Sequence, residues 1–165
     1  MNGRIQRLRA EIASDRRAIA AHFGELVGLD LSGPTASSGD VARAAIALHH
    51  LYSAIETVMV RVARETDGGE PSGGDWHQAL LDSMALHVDG VRSAVISEAI
   101  MPDLHAMLGF RHFFRHAYSV ALDPVQLAEI RELACRVRPA LEADLDRLDA
   151  SLAQAATTTE GSETV

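Results

Sequence analysis

Apolar residues recur along this chain at the three-, four- and seven-residue spacings of amphipathic helices, and no segment alternates with the two-residue period of a strand. The first stripe, Ile5, Leu8, Ile12, Ile19, Phe23 and Leu26, predicts a helix over 5–29. Asp30 to Gly39, with Pro34 and several Ser and Gly, ends it. Asp40 is read as the cap of a second helix over 41–66, with a seam of Val41, Ala44, Leu48, Leu51, Ile55, Val58 and Val62. The run DGGEPSGG, Asp67 to Gly74, is the sharpest break in the chain. Asp75 and Gln78 then frame a capping-box start for a third helix, striped by Trp76, Leu80 and Met84 and fading near Asp89-Gly90.

Gly90 to Ser97 has no clear period and is read as a connection. Helical spacing resumes at Glu98 and continues to about Ser119, with Pro102 suited to the first turn. Asp123-Pro124-Val125-Gln126 is another start signal. It opens a last helix over 124–154 on Val125, Ile130, Leu133, Val137, Leu141, Leu145, Leu148 and Leu152, with Pro139 as a candidate kink. From Ala156 the tail ATTTEGSETV is low in complexity and is expected to be disordered. The pattern predicts an all-α antiparallel four-helix bundle with an additional short helix, one domain over 1–155 and a tail over 156–165.

Composition narrows the class. One domain is the expectation for 165 residues, and 47% apolar residues are enough for a packed core. The single Cys135 excludes an internal disulfide or a multi-cysteine zinc module and fits a reducing compartment. No apolar run is long enough to cross a membrane and the charged start does not read as a signal peptide, so a soluble, cytoplasmic protein is expected. All basic residues are Arg, and the net charge of −8 opposes nucleic-acid binding as a default. That acidity is segregated. Residues 1–20 hold five Arg against Glu11 and Asp15, residues 97–120 balance before histidine is counted, and residues 121–165 carry −5.

Unusual chemistry concentrates in GFRHFFRHAYS, where four of the seven aromatics share nine residues, Phe110 to Tyr118, with two Arg and two His. At ~100° per residue, Ile100, Met107, Phe110, Phe114 and Tyr118 form one arc that faces the core. His105, His112 and His116 form a stripe nearly opposite, Arg111 and Arg115 flank the core arc, and Phe113 lies off it, where a second copy of the chain would bury it. The three histidines are also a candidate metal stripe, disfavoured by the two Arg and by the absence of a neighbouring carboxylate. On the second helix His49, Tyr52 and Glu56 share a face. Glu56 is read there either as a solvated edge residue or as the partner of an Arg.

Arg111, His116 and Tyr118 spell R-x4-H-x-Y. This resembles the signature of the HepT-type toxins, small helical-bundle ribonucleases of the HEPN superfamily. Asp123-Pro124 before a final amphipathic helix, Ala54-Ile55-Glu56, and the Gly-rich loop before Trp76-His77 extend the resemblance over about 5–150. It implies metal-independent endoribonuclease activity without a cofactor, in a homodimer with a composite Arg/His site. His116 would move the proton and Arg111 would hold the phosphate, with His112, Arg115 and Glu56 binding RNA or supporting the site. Tyr118 would be the residue to which a nucleotidyltransferase-type antitoxin attaches AMP. Two other classes stay open: a catalytically silent HEPN-like binding or scaffold module, and a metal or small-ligand bundle built on the histidine stripe. On a straight helix Arg111 and His116 diverge by ~140°, so either the helix distorts near Gly109 or a second subunit completes the site.

Overall fold

The computed structural model describes residues 2–32, 36–116 and 121–161. Five helices follow one another: α1 (Asn2–Val27), α2 (Ser38–Thr66), α3 (Trp76–Met84), α4 (Met101–His116) and α5 (Pro124–Gly161), with a 3-10 turn at Glu98–Ile100 leading into α4. Among the described residues there is no strand, only an isolated bridge between Val88 and Arg92. No described helix is long and apolar enough to cross a membrane.

Helix α1 runs antiparallel to both α2 and α5, and the side chains record it. Between α1 and α2, Arg4 meets Glu65, Glu11 and Asp15 meet Arg61, and Glu25 meets Arg43, so one helix descends as the other rises. Between α1 and α5 the same reversal runs from Arg9–Asp149 through Arg16–Asp146 to Arg131, whose guanidinium reaches the Leu29 carbonyl just past α1. The middle helix, α2, packs against α1, α3, α4 and α5. Its whole predicted seam is buried, as are Leu8, Ile12, Ile19, Phe23 and Leu26 of α1 and Leu80 and Met84 of α3. The predicted fold class is the observed one: an all-helical bundle of four long helices and one short one.

Several boundaries move for local reasons. Helix α2 begins three residues earlier than the pattern predicts because Ser37, not Asp40, is its cap: the Asp40 N–H donates to Ser37 Oγ. At its other end Gly68 takes φ 82°, which lets the Asp67 and Gly69 N–H groups both reach the Ala63 carbonyl. Helix α3 stops at Met84, short of the predicted fade, because the Met84 carbonyl turns to accept the N–H groups of Val95 and Ile96. The returning loop is held by Arg92, which donates to Asp67 and to the carbonyls of Leu86 and Ser83. Helix α5 starts where predicted, with Val125 N–H on Asp123 Oδ1, although Val125 itself is 58% exposed rather than part of the seam. It runs through Pro139 and reaches Gly161, so residues 156–161, expected to belong to the tail, are helical; Ala156 is buried against the bundle. Cys135 is half-buried.

The start of α4 depends on Asp144, a carboxylate on α5 that is 1% exposed. It accepts the backbone N–H of Ser97 at 2.8 Å and the Ser97 hydroxyl at 3.0 Å, and it pairs with Arg147. Asp144→Ala leaves a buried donor without an acceptor and is expected to cost about 2 kcal/mol. Asp144→Asn, which still accepts, is expected to cost less. Urea unfolding followed by circular dichroism measures both; equal losses would show that the charge rather than the acceptor matters.

Candidate active site

Three elements meet at Glu56. The carboxylate sits on α2 among residues of the seam, and its side chain is 8% exposed. From α4, Arg111 reaches across so that Nη2 donates to Glu56 Oε1 at 3.0 Å, while Nε donates to Ser53 Oγ at 3.2 Å. The Ser53 hydroxyl donates in turn to the His49 carbonyl at 2.8 Å. The guanidinium lies 5.9 Å above the ring of Tyr52, whose phenol is pushed above its ordinary range by burial first and the Glu56 charge second. From the first turn of α3, His77 Nδ1 lies 2.6 Å from Glu56 Oε2. A carboxylate only accepts, so Nδ1 carries the proton and donates it. The approach of Arg111 Nη1 to that same Nδ1, at 3.4 Å, is therefore a contact between two donors that Glu56 draws together, not a hydrogen bond.

Arg111 departs from its sequence reading. Read as flanking the core arc, its side chain is 11% exposed and turned into the cleft between α2, α3 and α4. A guanidinium there needs a carboxylate, and Glu56 is that carboxylate, the second of the two roles expected of it. His49 and Tyr52 share this face as predicted. Tyr52 Oη and His49 Nδ1 are buried with no hydrogen-bond partner among the described residues. Burial, then the charges of Arg111, His50 and Arg115, holds the His49 imidazole below its ordinary value.

His116 is on the far side. It ends α4, is exposed, and its Nδ1 lies 2.8 Å from the His112 carbonyl, so Nδ1 is the protonated nitrogen and Nε2 is left free. The His112 and His116 rings are 4.6 Å apart, and Arg115 beside them is exposed. His105 leaves this stripe for Asp82, with Nε2 to Oδ1 at 2.8 Å. Among the described residues, no group of three or more His, Cys, Asp or Glu side chains is placed to hold a metal ion. Helix α4 is regular through Gly109, so the distortion considered for that point does not occur and Arg111 and His116 face apart. Tyr118 lies outside the described residues.

Sequence reasoning missed His77. It enters the sequence reading only beside Trp76, after the Gly-rich loop and with no chemical role, and the signal that marks it is spatial: Trp76 stacks on its ring at 3.7 Å while Glu56 fixes its proton.

Residues 43–152, two-thirds of the chain, match the family model of HepT-like proteins. The chain belongs to the HepT-like family of the HEPN superfamily. No match was found among curated proteins or among solved structures. The matched span of the HepT-like chain includes most of α2, all of α3 and α4 and most of α5, and therefore Glu56, His77, Arg111 and His116. At the family level it is a HEPN-type toxin or nuclease module.

Removing one partner of a buried ion pair leaves the other charged and stranded, a loss of about 3 kcal/mol or more. Glu56→Ala is expected to lose that much in urea unfolding. Adding Arg111→Met in the same chain should recover part of it, giving a double-mutant coupling above about 1 kcal/mol. Strictly additive losses would show that solvent already screens the pair.

Proposed function

We propose that this HepT-like protein is a metal-independent endoribonuclease, the toxin half of a toxin–antitoxin pair, and that it acts as a homodimer. The observation that carries the reading is the division of the R-x4-H residues. Arg111 is oriented by Glu56 and Ser53 inside the cleft, and His116 ends the same helix in the open with a free Nε2. In RNA the neighbouring 2′-OH is the nucleophile, so the protein need supply only proton transfer and charge stabilisation. An imidazole moves the proton. A guanidinium stabilises charge gathering on the phosphate oxygens. Because the two face apart on a regular helix, Arg111 of one copy works with His116 of the other.

Support for the dimer comes from Phe113, 44% exposed on α4. It borders a groove of about 570 Å³ whose lining includes Gly109, Phe110, Leu122, Leu127 and Ile130. His112 and Arg115, both exposed beside His116, would contact RNA phosphates. The partner implied by the family is a nucleotidyltransferase-type antitoxin, with Tyr118 as the acceptor of AMP; phosphate added there would compete with RNA for Arg111. A catalytically silent binding module is the second reading, favoured by the low exposure of Arg111.

The deciding assay is RNA cleavage with EDTA present. The wild-type protein is expected to release products ending in a 2′,3′-cyclic phosphate and a 5′-hydroxyl. His116→Ala should lower the rate at least ~100-fold with an unchanged melting temperature, since the side chain is exposed. Arg111→Ala should also lose cleavage, but it uncovers Glu56, so His116 is the cleaner probe. A folded wild-type dimer without cleavage would select the silent module.

The interface has its own test. Burying Phe113 contributes about 2 kcal/mol per copy. Phe113→Arg is expected to be monomeric by light scattering at micromolar concentration and to lose cleavage with the dimer. A monomeric wild type would remove the composite site.

A further inference from the structure

Cleaving RNA by its own 2′-OH requires two proton transfers, one from the nucleophile and one to the leaving oxygen; the R-x4-H histidine of each copy stands at the exposed end of α4, whereas the imidazole next to Arg111 is His77. We propose that His77 is the second catalytic imidazole, the general base that takes the proton from the 2′-OH. This rests on the ribonuclease reading above.

The geometry is that of a base held by a carboxylate. Glu56 Oε2 accepts the Nδ1 proton of His77 at 2.6 Å, which fixes the tautomer and leaves the Nε2 lone pair free. No described residue bonds Nε2, and the atom is not among the buried polar atoms that lack a partner. The side chain keeps 22% of its surface and Nε2 is not sealed from solvent, while the Glu56 behind it keeps only 8%. When Nε2 takes a proton, the buried carboxylate faces the new imidazolium directly. The Trp76 ring, stacked at 3.7 Å and 30°, holds the imidazole plane and offers its π-face to the cation. Arg111, also on Glu56, places a guanidinium at the edge of the same ring. A phosphate drawn to Arg111 therefore lies next to the His77 ring.

The step balances without any further reactant. His77 Nε2 removes the 2′-OH proton as O2′ bonds to phosphorus. The bond from phosphorus to O5′ breaks, and O5′ takes the proton of the His116 imidazolium from the second copy. The products are a 2′,3′-cyclic phosphate and a 5′-hydroxyl, and the two histidines return to their starting states by exchange with water. The charged and titratable groups facing His77 are Glu56 from α2 and Arg111 from α4.

The substitution that separates catalysis from positioning is His77→Asn, whose amide N–H takes the place of Nδ1–H toward Glu56 but which cannot take a proton. On an RNA oligonucleotide with a mapped cleavage site, His77→Asn is expected to be at least ~100-fold slower than wild type at an unchanged melting temperature. The same oligonucleotide with a bridging sulfur in place of O5′ has a leaving group that needs no proton. There His116→Gln should recover and His77→Asn should stay slow, because the base is still missing. If His77→Asn does not fold, His77→Gly with added imidazole carries the same reading: concentration-dependent recovery supports a missing base, and none overturns it. Cleavage by His77→Asn within a few-fold of wild type, or its recovery on the sulfur substrate, overturns the assignment while leaving the ribonuclease reading intact. Absence of cleavage by the wild type removes both.

Discussion

One carboxylate organises the functional end of this bundle. Glu56 belongs to the helix that touches every other helix, and it faces inward, where an unpaired negative charge would be expensive. Its two oxygens accept from separate elements, Arg111 of α4 and His77 of α3. Each partner depends on it in a different way. Without Glu56 the guanidinium would have no reason to stay at 11% exposure above the Tyr52 ring, and the imidazole would have no fixed tautomer. The contact thus ties a short helix and a long one to the centre of the fold, and on the proposed function it orients two groups before any substrate arrives. Such preorganisation is what electrostatic catalysis requires, because nothing then has to reorient as charge develops.

The inward turn of Arg111 has a geometric consequence. A regular helix cannot aim residues five apart at one atom, and α4 is regular to its end. Arg111 therefore belongs to the cleft and His116 to the outer surface, together with Phe113, His112 and Arg115. A polar, ring-rich surface of that kind with a half-exposed Phe at its side is unusual for a face meant only for water. The division of the motif between cleft and surface and the exposure of Phe113 are two expressions of one arrangement, which a two-fold assembly would make whole.

The helices were legible in the sequence because each seam is a property of one segment. Val41, Ala44, Leu48, Leu51, Ile55, Val58 and Val62 repeat with the helical period and all are buried. What escaped were relations between segments. Glu56 follows Ile55 and looks like an edge residue on a wheel, which cannot show that a guanidinium 55 residues later comes to meet it. His77 lies 21 residues from Glu56, beyond a Gly-rich loop, and no periodicity joins them. The cap of α2 shows the same limit on a smaller scale: Ser37 and Asp40 are both capable caps, and only the backbone decides which one accepts. At the C-terminal end, low complexity suggested a tail, but Ala-rich sequence favours helix and Ala156 finds a surface to bury against.

Net charge is a poor guide to this surface for a related reason. Twelve of the fifteen arginines are paired with carboxylates within the described residues, from Arg4 with Glu65 to Arg147 with Asp144, so most of the positive charge is already spent on holding helices together. Arg17, Arg115 and Arg131 have no carboxylate partner among the described residues, and Arg131 is taken by the Leu29 carbonyl. Arg115 stands beside His112 and His116. A chain at −8 can thus keep a free cation where the proposed chemistry needs one while repelling polyanions elsewhere. Each phosphate neutralised on a single strand contributes a slope of about −0.7 in log affinity against log salt. Binding through Arg115 and Arg111 alone would give a shallow salt dependence and weak affinity. On the proposed function, selectivity for RNA would then come from contacts that do not scale with charge: the Trp76 and His77 rings beside Arg111, and a 2′-OH that only RNA can present to the proposed base.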